Sequence, residues 1–268
     1  MLGTFVEISA TEASSSTIEQ AFSAMAHIHR LMSFHSADSD LARMRTATWG
    51  EPVCVARETV AVLKLCQKLW RDTGGLFDVA VGASLVAEGY LPSCPSFPAA
   101  RLDGTTGDLE VRSDGTVICH RPMLIDLGGI AKGYAVDRAC EVLLADGAKE
   151  ILVNAGGDLR HAAGPQVEIV IRDQKGRAVN RLLLENGALA SSDNSRSRRR
   201  RWTGRLQSPH RGRGGCAVAS RSVTTVLSPT CAMADALTKV AIADGRLATR
   251  IARAGGGRVV GASHWFGV

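Results

Sequence analysis

The sequence predicts an α+β fold in a single domain spanning residues 1–268, with mixed and antiparallel sheets packed against helices. Three observations carry that expectation. Strand-like and helix-like stretches are mixed without a strict βαβ alternation. A hairpin is readable in "DLEVRSDGTVICH" (108–120), with "SDGT" at its turn. No convincing linker divides the 268 residues, which suffice for one large domain or two small ones.

The elements follow in order. Residues 3 to 10 alternate as a strand. Ser16 and Glu19 fit a capping box, and Ile18, Phe22, Met25, Ile28 and Met32 continue at helical spacing. This helix is expected to end at the polar loop "SFHSADSD". Residues 57 to 73 read as a second helix with Val60, Leu63, Leu69 and Trp70 on one face, stopped by "TGG". "PSCPSFPAA" (92–100) is proline-rich and irregular, and the hairpin follows it. "LIDLGGIAKGYAVDRA" (124–139) reads as a strand, a glycine turn and a helix that ends at "DGAK". "EILVNAGGDLR" is a strand into another glycine turn, and "VEIVIRD" and "RLLLENGALASS" look like paired strands. "SVTTVLSP" is a β-branched strand. "TCAMADALTKVAIADG" is a helix capped by Ser228 or Thr230, and a short helix and "GRVVGASHW" finish the chain.

Bulk composition narrows the class. Hydrophobic residues make up 45% and charged residues 22%, the balance of a globular protein with a sizeable core. No run of about 18 apolar residues occurs, so no transmembrane segment is expected. "MLGTFVEISA" lacks a basic start and a long apolar stretch, so it does not read as a signal peptide. Either the protein is made without an export signal, or the signal is missing from this chain. Seven scattered cysteines without a CxxC argue against a zinc site and a disulfide framework, and most are expected to be small buried hydrophobes. The net charge of +6 is local: residues 196 to 213 hold eight arginines and no acid. With one aromatic, Trp202, among them, a base-stacking platform has little support, and no nucleic-acid partner is expected.

Four short stretches could carry chemistry. In "IDLGGIAKG", glycines before a helix let the backbone approach a ligand, and free N–H groups at the helix start favour anions. Lys132 adds a donor and Asp126 an acceptor, yet neither GxGxxG nor GxxxxGK[ST] is present. The bland alternative is a tight turn with two solvated charges. In "ADALTK" (234–239), Asp235 and Thr238 share a helix face with Lys239 beside them. A carboxylate and a hydroxyl suit Mg²⁺, although the threonine could equally bond its own backbone. "TGGLFDVAVG" (73–82) offers Asp78 after two glycines, or simply a helix stop followed by a strand. "NAGGDLR" offers Asn154 and Asp158 for a cleft, or for turn bonds.

Singly these signals are weak, but their order is specific. "MLGTFVEI", "LMSFHSADSDLARMR", "TGGLFDVAVG", "LIDLGGIAKGYAVDRA", "LVNAGGDLR", "ALASS" and "SVTTVLSPTCAMADALTK" together resemble the ApbE family over about residues 2 to 245. The resemblance implies a T-fold-related domain and an FAD:protein FMN transferase. It implies FAD as substrate and Mg²⁺ as cofactor, with AMP released and FMN joined by a phosphoester to a Thr or Ser of a target flavoprotein. Family targets include subunits of membrane redox complexes, some relatives hydrolyse FAD to FMN and AMP, and members are usually lipoproteins facing the periplasm. By motif, Asp126 and Lys132 resemble FAD contacts, and Lys132 and Asp235 the groups that act in catalysis. Gly129, Asp235 and Thr238 resemble metal ligands, and Lys239 at the next position cannot ligate, which narrows that shell. Leu76, Phe77 and Asp78 match a flavin-contacting segment, His35 stands where relatives often have a tyrosine, and Leu2 and Leu206 match apolar FAD contacts. The family's HxxDPxTG motif is replaced here by "RLQSPHRGRGG" (205–215). Its histidine falls on Arg205 and its aspartate on Ser208, with His210 close by but out of register. That departure keeps a silent flavin-binding protein open beside the enzyme, with the arginines as replacement phosphate contacts.

Overall fold

A six-stranded antiparallel sheet organises the chain. The computed structural model describes residues 2–93, 102–172, 177–194, 199–200, 206–218 and 223–262. The strands are β1 (Val6–Thr11), β5 (Lys149–Ala155), β6 (Asp158–Ala162), β9 (Gly187–Asp193), β12 (Val223–Ser228) and β13 (Arg258–Ala262), hydrogen-bonded in that order. A smaller sheet orders β2 (Pro52–Cys54), β4 (Thr116–Cys119) and β3 (Leu109–Val111). The hairpin of β7 (Val167–Arg172) and β8 (Ala178–Leu184) and the two-residue pair β10 (Arg199–Arg200) and β11 (Leu206–Gln207) complete the strands described.

Alternation along the main sheet assigns its two faces. Ile151, Val153, Ala155, Ala188 and Val226 point into the main core. There they meet α1 (Ser15–Met32), α5 (Ala131–Ala145) and α6 (Cys231–Ala243). Leu159, Leu189 and Leu227 point the other way and meet Leu182 and Leu184 of the β7–β8 hairpin. A period-2 strand buried on both faces need not alternate in polarity, and β12 buries Thr224, Thr225 and Ser228 beside Val226 and Leu227. The remaining helices are α2 (Asp40–Thr46), α3 (Arg57–Asp72), α4 (Gly82–Ala87) and α7 (Gly245–Ala254).

Several expectations are corrected here. The cap of α1 is Ser14, whose hydroxyl accepts from the Thr17 amide at 3.1 Å; Ser16 lies inside the helix. Thr17 is buried and donates to the Asp146 carboxylate, so a tertiary contact sets the helix frame. Residues 40–46 are helical beyond the polar loop, started by Ser39, which accepts from the Ala42 amide at 3.0 Å. Residues 123–127 form no strand. They run beside 79–82 instead, with Asp126 N–H donating to the Val79 carbonyl and Gly82 N–H to that of Leu124. "DVAVG" is likewise not a strand, but a turn leading into α4. "RLLLENGALASS" holds parts of two strands, β8 pairing with β7 and β9 entering the main sheet. "PSCPSFPAA" and the arginine run fall mostly outside the described residues. Among the described cysteines, Cys66, Cys119, Cys140 and Cys231 are buried, while Cys54 and Cys216 are exposed.

Candidate active site

The helices α5 and α6 cross where a glycine removes a side chain. A Cβ on Gly133 would lie 2.3 Å from the Cys231 carbonyl oxygen, so the two backbones touch. Thr230 at the start of α6 makes no side-chain cap. Asp137 of α5 supplies the cap across the crossing, accepting from the amides of Cys231 at 2.8 Å and Ala232 at 2.9 Å. Arg160 holds the same carboxylate at 2.9 Å. The crossing therefore locks the glycine turn before α5 to the first turns of α6.

Beside it opens a cleft of about 890 Å³, near the upper end of the range for small-molecule and cofactor sites. Apolar surface comes from Ile28, Met32 and Phe34 at the end of α1, and from Leu76, Phe77 and Leu85. Polar groups come from Asp126, Lys132, His210, Arg211 and Lys239. Leu2, His35, Asp78 and Gly129 also line it. The structure thus gathers Leu2, His35, Leu76, Phe77, Asp78, Asp126, Gly129 and Lys132 around one space, from segments as far apart as residues 2 and 132. Asp235 and Thr238 lie behind the wall, fully buried. Leu206 belongs to β11, and its side chain is outside the described residues.

Asp126 and Lys132 do not bond each other. Among the described residues Asp126 accepts one long bond, from the Gly128 amide at 3.3 Å, and burial pushes its carboxyl above the usual range. Lys132 makes an ion pair with Asp158, a buried residue at the start of β6. Burial lowers the Lys132 ammonium below its ordinary pKa, with Asp235 opposing. Asp78 is anchored inward: its Oδ1 accepts from Ala80 N–H, Thr106 N–H and the Thr106 hydroxyl at 2.7 to 3.0 Å. The Phe34 ring next to His35 carries Arg45, 5.0 Å from its centroid. Neither Gly128 nor Gly129 adopts a positive φ, so the pair provides space more than conformational freedom.

The segment that departs from HxxDPxTG has its own order. Ser208 is buried, donates to Asn194 Oδ1 at 2.6 Å and accepts from the His210 amide at 3.1 Å. This local turn aims His210 and Arg211 at the cleft. Burial lowers the His210 pKa to about 4, helped by the Lys239 charge. Arg211 is bidentate to Glu88, at 3.1 and 3.2 Å, and Arg213 donates to the Gly74 and Thr73 carbonyls. These two arginines tie their loop to the 73–88 segment instead of standing as free phosphate contacts. Sequence reasoning missed Asp137 and Ser192, and offered Asp158 for a cleft or a turn but not as the partner of Lys132, because each acts across the fold.

The expected Mg²⁺ shell does not fit what these residues do. One Asp235 oxygen holds the Lys239 ammonium and the other accepts the Gly133 amide at 3.2 Å. Burial alone would raise Asp235, and the Lys239 and Lys132 ammoniums outweigh it and keep the carboxyl below its usual range. The Thr238 hydroxyl donates to the Asp235 carbonyl at 2.7 Å, the helix-internal bond that was its alternative. Among the described residues, no group of three or more His, Cys, Asp or Glu side chains is placed to hold a metal ion.

The sequence model of the ApbE family matches residues 2–256. The chain belongs to the ApbE family. An FAD:protein FMN transferase of Vibrio cholerae serotype O1 is 32% identical over 143 residues, 48% of this chain and 41% of that protein. One from Treponema pallidum is 28% identical over 184 residues, 59% of this chain and 51% of that protein. The chain thus spans about half the length of the curated relatives it matches. Among solved structures, the ApbE protein of Thermotoga maritima superposes with a TM-score of 0.81 at 25% identity, over 98% of this chain and 94% of that one. The flavin transferase ApbE of Vibrio cholerae gives 0.78 at 26% identity, over 96% and 89%. The ApbE fold is therefore shared along nearly the whole chain. No described helix is long and apolar enough to cross a membrane.

Proposed function

We propose that this chain transfers FMN from FAD to a serine or threonine hydroxyl of an acceptor flavoprotein, releasing AMP. The observation that carries the reading is the cleft, which combines an apolar lining with two lysines and an acid, Asp126, that has no ion pair among the described residues. Leu76, Phe77 and Phe34 suit a flat ring system, and Lys132 and Lys239 suit a diphosphate. Asp126, half-buried in the cleft wall with one long bond, is the acceptor offered to a donor on the flavin or the adenosine.

In the reaction the acceptor oxygen forms a bond to the FMN phosphorus. The bond from that phosphorus to the bridging oxygen breaks, and AMP leaves with the electron pair. Lys132 and Lys239 stabilise the charge that grows on the departing phosphate. The hydroxyl proton goes to His210, which is neutral above about pH 4 and lines the same cleft. No step is routed through Mg²⁺, because Lys239 occupies the carboxylate that would bind it. A subunit of a membrane redox complex is the kind of acceptor that we infer.

The altered 205–215 segment favours one rival, hydrolysis of FAD to FMN and AMP with water as acceptor. Incubation with FAD and an acceptor domain, followed by a denaturing gel, separates the two. Flavin fluorescence that stays with the acceptor supports transfer. Free FMN and AMP without a fluorescent band would establish hydrolysis instead.

A further inference from the structure

We propose that the Lys239 ammonium is the resident cation of this site, so that the chain binds FAD without a divalent metal. The FAD half of this statement rests on the transferase reading; the cation half does not. Asp235 is fully buried, and a buried carboxylate needs a compensating charge. Lys239 lies four residues on, on the same helix face, and its ammonium sits on Asp235 Oδ1.

The neighbouring oxygens are oriented around that ammonium. Lys239 Nζ also donates to Ser192 Oγ at 3.1 Å, and Ser192 Oγ lies 2.7 Å from Thr238 Oγ1. Each hydroxyl has one proton. Thr238 spends its own on the Asp235 carbonyl, so Ser192 donates to Thr238 and offers Lys239 a lone pair. The Lys239 methylenes pack over Gly129, 3.6 to 3.8 Å from where a Cβ would stand. Asp235 and Thr238, the side-chain members of the implied ligand set, are thus engaged with Lys239 or with the network it completes. Mg²⁺ asks for near-octahedral oxygen geometry, and an ammonium repels it and has no lone pair to offer. Lys239 also lines the cleft, and its ammonium has a third donor for a phosphate as a compact point charge.

The test uses the full chain and Mn²⁺ as probe, read by the electron paramagnetic resonance of the free ion. Wild type should leave the signal unchanged. Lys239→Thr should bind Mn²⁺ at least about tenfold more tightly, and adding Asp235→Asn should remove that gain. Flavin fluorescence quenching should give wild-type FAD affinities within about twofold in Mg²⁺ and in EDTA. Three results overturn the proposal: Mn²⁺ binding by wild type that a folded Asp235→Asn loses, a wild-type FAD affinity that drops about tenfold in EDTA, or a folded Lys239→Thr that gains no Mn²⁺. If Lys239→Thr does not fold, the wild-type measurements decide alone. None of them needs an acceptor or turnover. Wild type that excludes Mn²⁺ yet binds no FAD would refute the flavin reading and uphold the cation assignment.

Discussion

Asp126 is held where it contributes little to stability, which fits the binding role proposed for it. Its carboxyl is partly buried and accepts one long amide bond, so the fold gains little from it. Asp126→Ala should leave the melting temperature unchanged or raised. It should weaken FAD binding by about 10- to 100-fold, the loss of one charge-assisted hydrogen bond, as titration of flavin fluorescence would show. A lowered melting temperature with FAD binding intact would make Asp126 structural. His210 makes a pH prediction. Lys239, Asp193 and Asp235 act on it, and burial dominates, placing its pKa at about 4. As a base it is lost only when pH falls through about 4, so the transfer rate should be flat across pH 6.5 and decline below about pH 5. His210→Gln should lower the rate by about 10² to 10⁴ and abolish that limb. The unfolded histidine titrates near 6.5, so this group's share of stability is present above that pH and lost as pH falls from about 6.5 to 4. A limb centred near 6.5 in the rate would contradict the assignment.

At the scale of elements, the α5–α6 crossing positions the chemistry. Gly133→Ala would drive a methyl into the Cys231 carbonyl and displace the amide that holds Asp235. It should destabilise the protein by about 1 to 3 kcal/mol in urea titration and weaken FAD binding with it. Unchanged stability would show that the helices move apart freely. The sequence displayed some of this scale and hid the rest for stated reasons. The "SDGT" hairpin was readable because Asp114 and Gly115 make the turn locally, with Gly115 at a φ of +92°. "LID" had strand composition, but its amides pair with irregular backbone at 79–82, which no periodicity announces. The α1 cap slipped to Ser14 because Thr17 answers to Asp146, 129 residues away. Leu2, His35, Leu76, Phe77, Asp78, Asp126, Gly129 and Lys132, all lining the cleft, are reached through the order of motifs. The Lys132–Asp158 pair and the Ser192 link to Lys239 join residues 26 and 47 positions apart, so no local pattern reveals them.

Across the whole molecule, the main sheet separates the catalytic side from a second core. Leu189 packs with Leu159, Leu182, Leu184 and Leu227 beneath the β7–β8 hairpin, on the face away from the helices. Leu189→Ala should cost about 2 to 4 kcal/mol and lower the melting temperature by several degrees, with FAD affinity unchanged. Weakened FAD binding at that position would mean that the two faces are coupled. The basic segment belongs to this scale too: where it is described, Arg211 and Arg213 bind Glu88 and the 73–74 carbonyls, so they tie the cleft's rim to the 73–88 segment. The central claim is transfer of FMN to a protein hydroxyl, and mass spectrometry of the acceptor after incubation with FAD tests it most directly. The expected product is an acceptor heavier by FMN less water, with the modification on one serine or threonine and one AMP released per adduct. An acceptor of unchanged mass beside accumulating FMN and AMP, or beside untouched FAD, would contradict it.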